Sequence, residues 1–365
     1  MTARSLAAFA ITLAMCAAAG AQTSPKKTAG EKELTTAAAR LAFIQQAQVW
    51  KATAVAEMDL RAGPQGAGAF EPDEAVACRY VEKKLDGTTR KFECTVSENN
   101  VVKVRYGDEN GKVQGAVIAS RLLWALGFGA DGLYPVRVTC TGCSTDPWKD
   151  GEWTPGQRVF SPATIERKPV GHEMNSENDG GWSWPELDQV QEQKGGATLA
   201  QRDALKLLAV FMQHTDNKVL NERLLCLPRG RNAGGGCDKP FMMLHDVGLT
   251  FGHANVLNKT NVGSVNFVEW SETPIWRDGD GCVGHMSKSM TGTLGDPPIS
   301  EAGRKFLADL LVQLTDRQLH DLFEVARVDL RSRRPDTDEP PAGVDEWVAA
   351  FKHKRDEIAG RRCAA

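Results

Sequence analysis

Residues 200–221 read AQRDALKLLAVFMQHTDNKVLN, and the character of the chain changes at residue 214. Up to Gln213 the apolar residues recur at three- and four-residue steps (Ala204, Leu207, Leu208, Phe211), the pattern of an amphipathic helix. His214-Thr215-Asp216-Asn217-Lys218-Val219-Leu220-Asn221 then gathers an imidazole, a carboxylate, an amine and two amides. Asp and Asn in such a run are also ordinary turn formers, so the segment gains meaning only from what stands around it.

Working outward, Asp246-Val247-Gly248 follows 25 residues after Asn221, behind the apolar run FMML that reads as a strand. Upstream, VACRYVEKKL, Asp86-Gly87 and TRKFECTV form a hairpin signal with the turn chemistry hairpins prefer. VVKVRYG is a third strand alternating at period two, and Lys103 lies inside it. Val113 to Leu126 reads as a helix stopped by Gly127; YPVRVTC is a fourth strand and VFSPATIERK, carrying Glu166, a fifth. Residues 171–182 are polar and Gly-rich, as in a hinge. Helices follow over Glu301–Leu330, then a Pro-rich charged linker, then a terminal amphipathic helix from Trp347 to Ile358. His245 and His253 flank the Asp246 turn. Without a second pair at ligand spacing they read as hydrogen-bonding groups rather than metal ligands.

The motif spacing H-x-D-x-K-x-x-N, the strand lysine and the Asp-x-Gly turn resemble the protein-kinase-like superfamily, in the atypical branch of HipA-like, spore-coat and secretory-pathway kinases. The blocks AGPQGAGAF, KFEC, VKVRYG, SRLLWALGFGAD and LHDVGLTFG are similar to those of an uncharacterised group of exported bacterial kinase-like proteins, over roughly residues 55–330. The resemblance implies an α+β, bilobal protein-kinase-like fold. A small antiparallel β-sheet N-lobe with one helix (61–170) would precede a larger, mainly helical C-lobe (171–335). A lead-in and N-terminal helix (22–60) and a C-terminal linker and helix (336–365) would flank them. It implies ATP and Mg²⁺ or Mn²⁺ as cofactors, with Asp216 as base assisted by Lys218 and His214. Lys103 would pair the nucleotide phosphates, the Gly87-Thr88 turn would cover them, and Asn221 and Asp246 would hold metal. The expected activity is transfer of the ATP γ-phosphoryl to a hydroxyl on a protein, glycan or small molecule; the alternative is a kinase-fold binding module without catalysis. The chain departs from the pattern in one respect. Its helix after the lysine strand carries no Asp or Glu, Ala116 stands at the expected place, and Glu166 is the candidate substitute from the sheet. The Gly-rich stretch 63–70 is a second candidate phosphate loop, but it precedes the first strand.

Composition sets the outer bounds. The chain has 365 residues, 41% apolar and 25% charged, with a formal net charge of −3, which gives no electrostatic ground for a nucleic-acid partner. Residues 1–21 (MTARSLAAFAITLAMCAAAGA) have a lone Arg4, a short Ala-rich apolar run and small residues at Ala19–Ala21. This reads as a secretory signal peptide cleaved near Ala21 rather than as an anchor, so a periplasmic or secreted protein with no membrane span is expected. Of the nine cysteines, removal of Cys16 leaves eight, an even number suited to an oxidising compartment. Cys78 with Cys94 across the hairpin, Cys226 with Cys237 around a Gly-rich loop, and Cys140 with Cys143 as a structural pair are the local pairings; Cys282 with Cys363 remains by elimination.

Overall fold

The computed structural model describes residues 34, 36–87, 89–107, 110–148, 153–174, 181–233, 236–252, 266–279, 281–286, 292–330 and 341–363. Residues 1–21, Thr88, His253 and most of the Pro-rich linker therefore lie outside the described residues.

After helix α1 (Ala37–Gln46), five strands follow: β1 (Ala75–Val81), β2 (Lys91–Ser97), β3 (Asn100–Tyr106), β4 (Gly132–Cys143) and β5 (Gly156–Arg167). Helix α2 (Lys112–Ala125) lies between β3 and β4. The strands close into a barrel in the order β1-β2-β3-β5-β4. All neighbours are antiparallel except the closing pair, where β1 runs parallel to β4 with Cys78 opposite Cys140. Alternate residues (Val76, Phe92, Val102, Val104, Val136, Val138, Ile165) fill the interior, with Phe92, Tyr106 and Phe160 packed ring to ring at 4.8–5.5 Å. The opposite register puts Lys91, Lys103, Arg105, Thr164 and Glu166 outside the barrel, the first step in building the site.

A separate three-stranded sheet joins β6 (His172–Glu173), β7 (Glu222–Cys226) and β8 (Pro240–Leu244), all antiparallel. Around it stand α3 (Trp184–Leu187), α4 (Leu199–Met212), α5 (Phe267–Glu272), α6 (Glu301–Leu311), α7 (Asp316–Val325) and α8 (Val344–Gly360). Thr198 caps α4 through a capping box with Gln201, and the buried face of α4 packs on α6. Trp347 and Phe351 of α8 sit in an aromatic cluster with Trp270, Phe323 and Phe211.

This architecture corrects the bilobal protein-kinase-like expectation. An open antiparallel sheet would leave two edges; here β1 and β4 pair and remove both, making a closed barrel with its own core. The barrel, the small sheet and the helices belong to one compact unit, Lys32–Ala365, rather than to two lobes. The hinge-like stretch is also partly structured: His172 and Glu173 pair with β7, and Trp182 and Trp184 are buried against each other at 5.0 Å. The Gly-rich 63–70 stretch serves packing. Arg121 of α2 is fully buried beneath it and donates to the carbonyls of Leu60 and Arg61. Gly63, at φ +75, leaves room where a Cβ would lie 2.9 Å from the guanidinium carbon.

Four disulfides link Cys78–Cys94, Cys140–Cys143, Cys226–Cys237 and Cys282–Cys363. No helix among the described residues is long and apolar enough to cross a membrane.

Candidate functional site

The site lies where the outer face of the barrel meets α2, the loop after α4 and the turn after β8. Period-two alternation places Lys103 and Arg105 on the same outer face of β3, with Glu166 of β5 directly opposite Lys103 in register. Lys103 Nζ is 2.6 Å from Glu166 Oε1, and Arg105 donates to Oε2 at 2.8 Å. Ala116 of α2, Leu133, Asp131 and Val247 wall a cavity of about 10 Å³ beside this pair, room for roughly one water. The carboxylate paired with Lys103 therefore comes from the sheet and not from α2.

Asp246 follows β8 in the left-handed region, φ +45, which Asp tolerates better than most residues. Its carboxylate takes Lys112 at 3.1 and 3.2 Å and Arg105 at 3.2 Å. Two glycines permit this approach. A Cβ on Gly115 would lie 3.0 Å from the Gly248 carbonyl, and one on Gly248 would lie 2.8 Å from the Lys112 side chain. Burial disfavours the Asp246 charge, but Arg105 and Lys112 outweigh it and hold the carboxyl well below its ordinary range. Glu166 follows the same logic: burial is overcome by Arg105 and Lys103, and its pKa is lowered. Arg105, fully enclosed, is kept charged by Asp246 and Glu166 against the desolvation cost.

The loop after α4 is held by its own amides. Gln213 ends α4 at φ +53. Buried Asn217 donates to the His214 carbonyl at 2.9 Å and accepts from the Leu294 amide at 2.8 Å. Asn221 Nδ2 donates to the Asp216 carbonyl at 2.6 Å, and the His245 amide donates to the Asn221 carbonyl at 2.7 Å. Asp216, Asn221 and His245, the residue before Asp246, are therefore joined by consecutive bonds, and Asp216 acts electrostatically on Lys112. Lys218 pairs with Asp216 at 3.0 Å.

His214, the residue that opens this loop, belongs to the core. It is fully buried, and desolvation pushes its pKa down to about 4. Its Nε2 stands 3.7 Å from Glu222 Oε1, and burial raises the pKa of that carboxyl well above the ordinary range. It lies inside the fold, within electrostatic reach of Asp216, Asp246 and Lys112. Gly87, at φ +109, lies in the β1–β2 turn as one wall of a separate cavity.

Several residues that complete the site escape sequence reading. Asp131 hydrogen-bonds His245 Nδ1, and Arg223 lies 2.9 Å from His245 Nε2, so the ring is oriented from both sides. Oxygen and nitrogen atoms of Asp131, Glu166 and His245 come within 4.8 Å of one another, as a metal triad would. Arg105, Lys103 and Arg223 already occupy that space with positive charge, which favours hydrogen bonding over a cation there. Lys91 lies opposite Arg105 in register. Burial, then repulsion from Arg105, lowers its pKa to about 8, and no carboxylate pairs with it among the described residues. Only Arg105 had a sequence signal, its two-residue spacing from Lys103.

No protein-family model matches the chain, and no curated protein matches it. Among solved structures, the Helicobacter pylori proinflammatory kinase CtkA is similar at a TM-score of 0.36 and 12% identity, over 80% of this chain and 95% of that one. A likeness this slight carries no structural argument.

Proposed function

We propose that the chain is a phosphotransferase moving the γ-phosphoryl of ATP to a hydroxyl acceptor. The observation that carries the reading is a charge imbalance: Lys103, Arg105, Lys112, Lys218 and Arg223 stand against Glu166, Asp246, Asp216 and Asp131, with Lys91 opposite Arg105 at the edge. The positive charge in excess, partly desolvated, attracts a phosphate-bearing anion. The Asp216 loop reaches the same place, with a carboxylate to accept the acceptor's proton. As the hydroxyl oxygen bonds to the γ-phosphorus, the bridging P–O bond breaks, ADP leaves with the electron pair, and the proton passes to Asp216.

A divalent cation fits the donor set. Asp246 Oδ2 takes one hydrogen bond from Lys112 and keeps an acceptor direction, and the Asn221 side-chain oxygen is not committed to the bond its amide nitrogen makes. Asp246 and Asn221 would hold Mg²⁺ or Mn²⁺, which when bound would neutralise charge on the transferring phosphoryl. The Lys103–Glu166 pair orients the amine, and Arg105 fixes both carboxylates. The four disulfides suit an oxidising compartment, and with it export.

A second reading, nucleotide binding without turnover, is favoured by the clamp of Lys112 and Arg105 on Asp246, which a metal must partly displace. One assay separates the two. Oxidised full chain is incubated with γ-labelled ATP and Mg²⁺ or Mn²⁺, beside Asp216→Ala and Asp246→Ala. Label transfer by the wild type alone supports catalysis, and thermal stabilisation without transfer or ATP turnover supports binding only. Absence of both ends the proposal.

A further inference from the structure

Residues of the β1–β2 turn up to Gly87, with Lys91, Trp148 and Trp153, line a half-open cavity of about 630 Å³ beside the cation cluster. That is within the range of about 300–1,000 Å³ typical of small-molecule sites. Its walls are of two kinds. Tyr80 and Trp153 meet at 4.6 Å between centroids, tilted by 40°, and Trp153 remains 42% exposed. Trp148 carries Lys91 over its face at 5.6 Å. Between these rings stand Glu82 and Asp86, which only accept hydrogen bonds when ionised, and lysines, which only donate.

The charge balance narrows the ligand. Lys83 is committed to Glu93 at 2.5 Å, which leaves Lys84 and Lys91 against Glu82 and Asp86 among the described residues. Among the described residues the lining is therefore close to neutral, unlike the cluster beside it. A polyphosphate would meet two carboxylates, and an apolar ligand would leave four charged groups without partners. A sugar satisfies both kinds of wall, its C–H face lying on the indole and phenol rings while its hydroxyls donate to carboxylates and accept from lysines.

We propose that this cavity binds an uncharged sugar and, resting on the phosphotransferase reading, that a sugar hydroxyl is the phosphoryl acceptor. Lys91 joins the two regions: it lines the cavity and lies opposite Arg105 of the cluster.

The test uses the oxidised full chain, with cellobiose, maltotriose and N,N′-diacetylchitobiose as probes, read by tryptophan fluorescence and saturation-transfer NMR. At least one probe should bind saturably. Trp153→Ala should weaken it by about tenfold or more, with Trp153→Phe restoring most of the affinity. Thermal stabilisation by ATP should be unchanged in Trp153→Ala, because the ring lies outside the cation cluster. Failure of all three probes to bind overturns the proposal, as does binding indifferent to both Trp153→Ala and Trp148→Ala. Loss of the ATP response in Trp153→Ala also overturns it, by giving the cavity to the nucleotide. Failure of the phosphotransferase reading alone looks different. Sugar binding would be present and sensitive to Trp153→Ala, yet no label from ATP would reach the sugar, which upholds the binding site and removes its acceptor role.

Discussion

Lys103 and Glu166 face each other across neighbouring antiparallel strands, with Nζ 2.6 Å from Oε1, and the same carboxylate takes Arg105 on its other oxygen. A strand lysine is thus fixed by a strand glutamate. The register of β3 and β5 sets the pair, so its geometry does not depend on the position of a helix.

The first prediction concerns that pair. Glu166→Ala leaves Arg105 and Lys103 without their shared carboxylate in a buried setting, and should cost about 3–5 kcal/mol in urea unfolding. Glu166→Gln keeps the shape and should cost less. Equal stability of Glu166→Ala and wild type would mean that the pair is solvated rather than buried.

Asp216 and Asp246 should separate by phenotype. Asp216→Asn is expected to lower phosphoryl transfer by about 10²–10⁴-fold while ATP still stabilises the protein, since it removes the proton acceptor. Asp246→Asn weakens the partner of Lys112 and Arg105 and the cation's carboxylate, so the Mg²⁺-dependent part of ATP stabilisation should disappear. Melting curves with ATP, with and without Mg²⁺, distinguish the two.

The buried His214 and Glu222 give opposite pH slopes. The His214 pKa falls from 6.5 to about 4 on folding. Its contribution is full above pH 6.5 and is lost as pH falls toward 4, by about 3 kcal/mol. The Glu222 pKa is raised, so its contribution is present below the ordinary carboxylate range and is lost as pH rises. Glu222→Gln should therefore gain relative stability toward alkaline pH, and His214→Gln should flatten the acid limb. Urea midpoints measured from pH 4 to 9 would expose both effects.

Removal of the Cys282–Cys363 bond should be the most damaging single disulfide loss. It spans 81 residues and ties the end of α8 to the loop before α6, against a separation of 3 for Cys140–Cys143. Loop entropy alone predicts on the order of 4 kcal/mol for the former and about 2 for the latter. Paired Cys→Ala variants compared by thermal unfolding test the order.

Local pattern was legible where the physics is local. Apolar steps of three and four gave α4, period-two alternation gave β1 to β3, and the Asp86-Gly87 turn gave the hairpin. The short-range cysteine pairs followed from the same local elements, because a hairpin brings its own flanks together.

The order of strands and helices and the chemical motif from His214 to Asn221 were already legible along the chain. Tertiary packing decides that β1 closes on β4, that Glu166 pairs with Lys103, that Lys112 and Asp131 join the cluster, and that His214 is enclosed. The reason is range. Alternation says which face a residue occupies but not which strand lies beside it, and Arg105 is 141 residues from Asp246. Such pairings are settled by packing of the whole chain, which buries one outer face of a closed barrel against α2 and so turns scattered charges into one cluster.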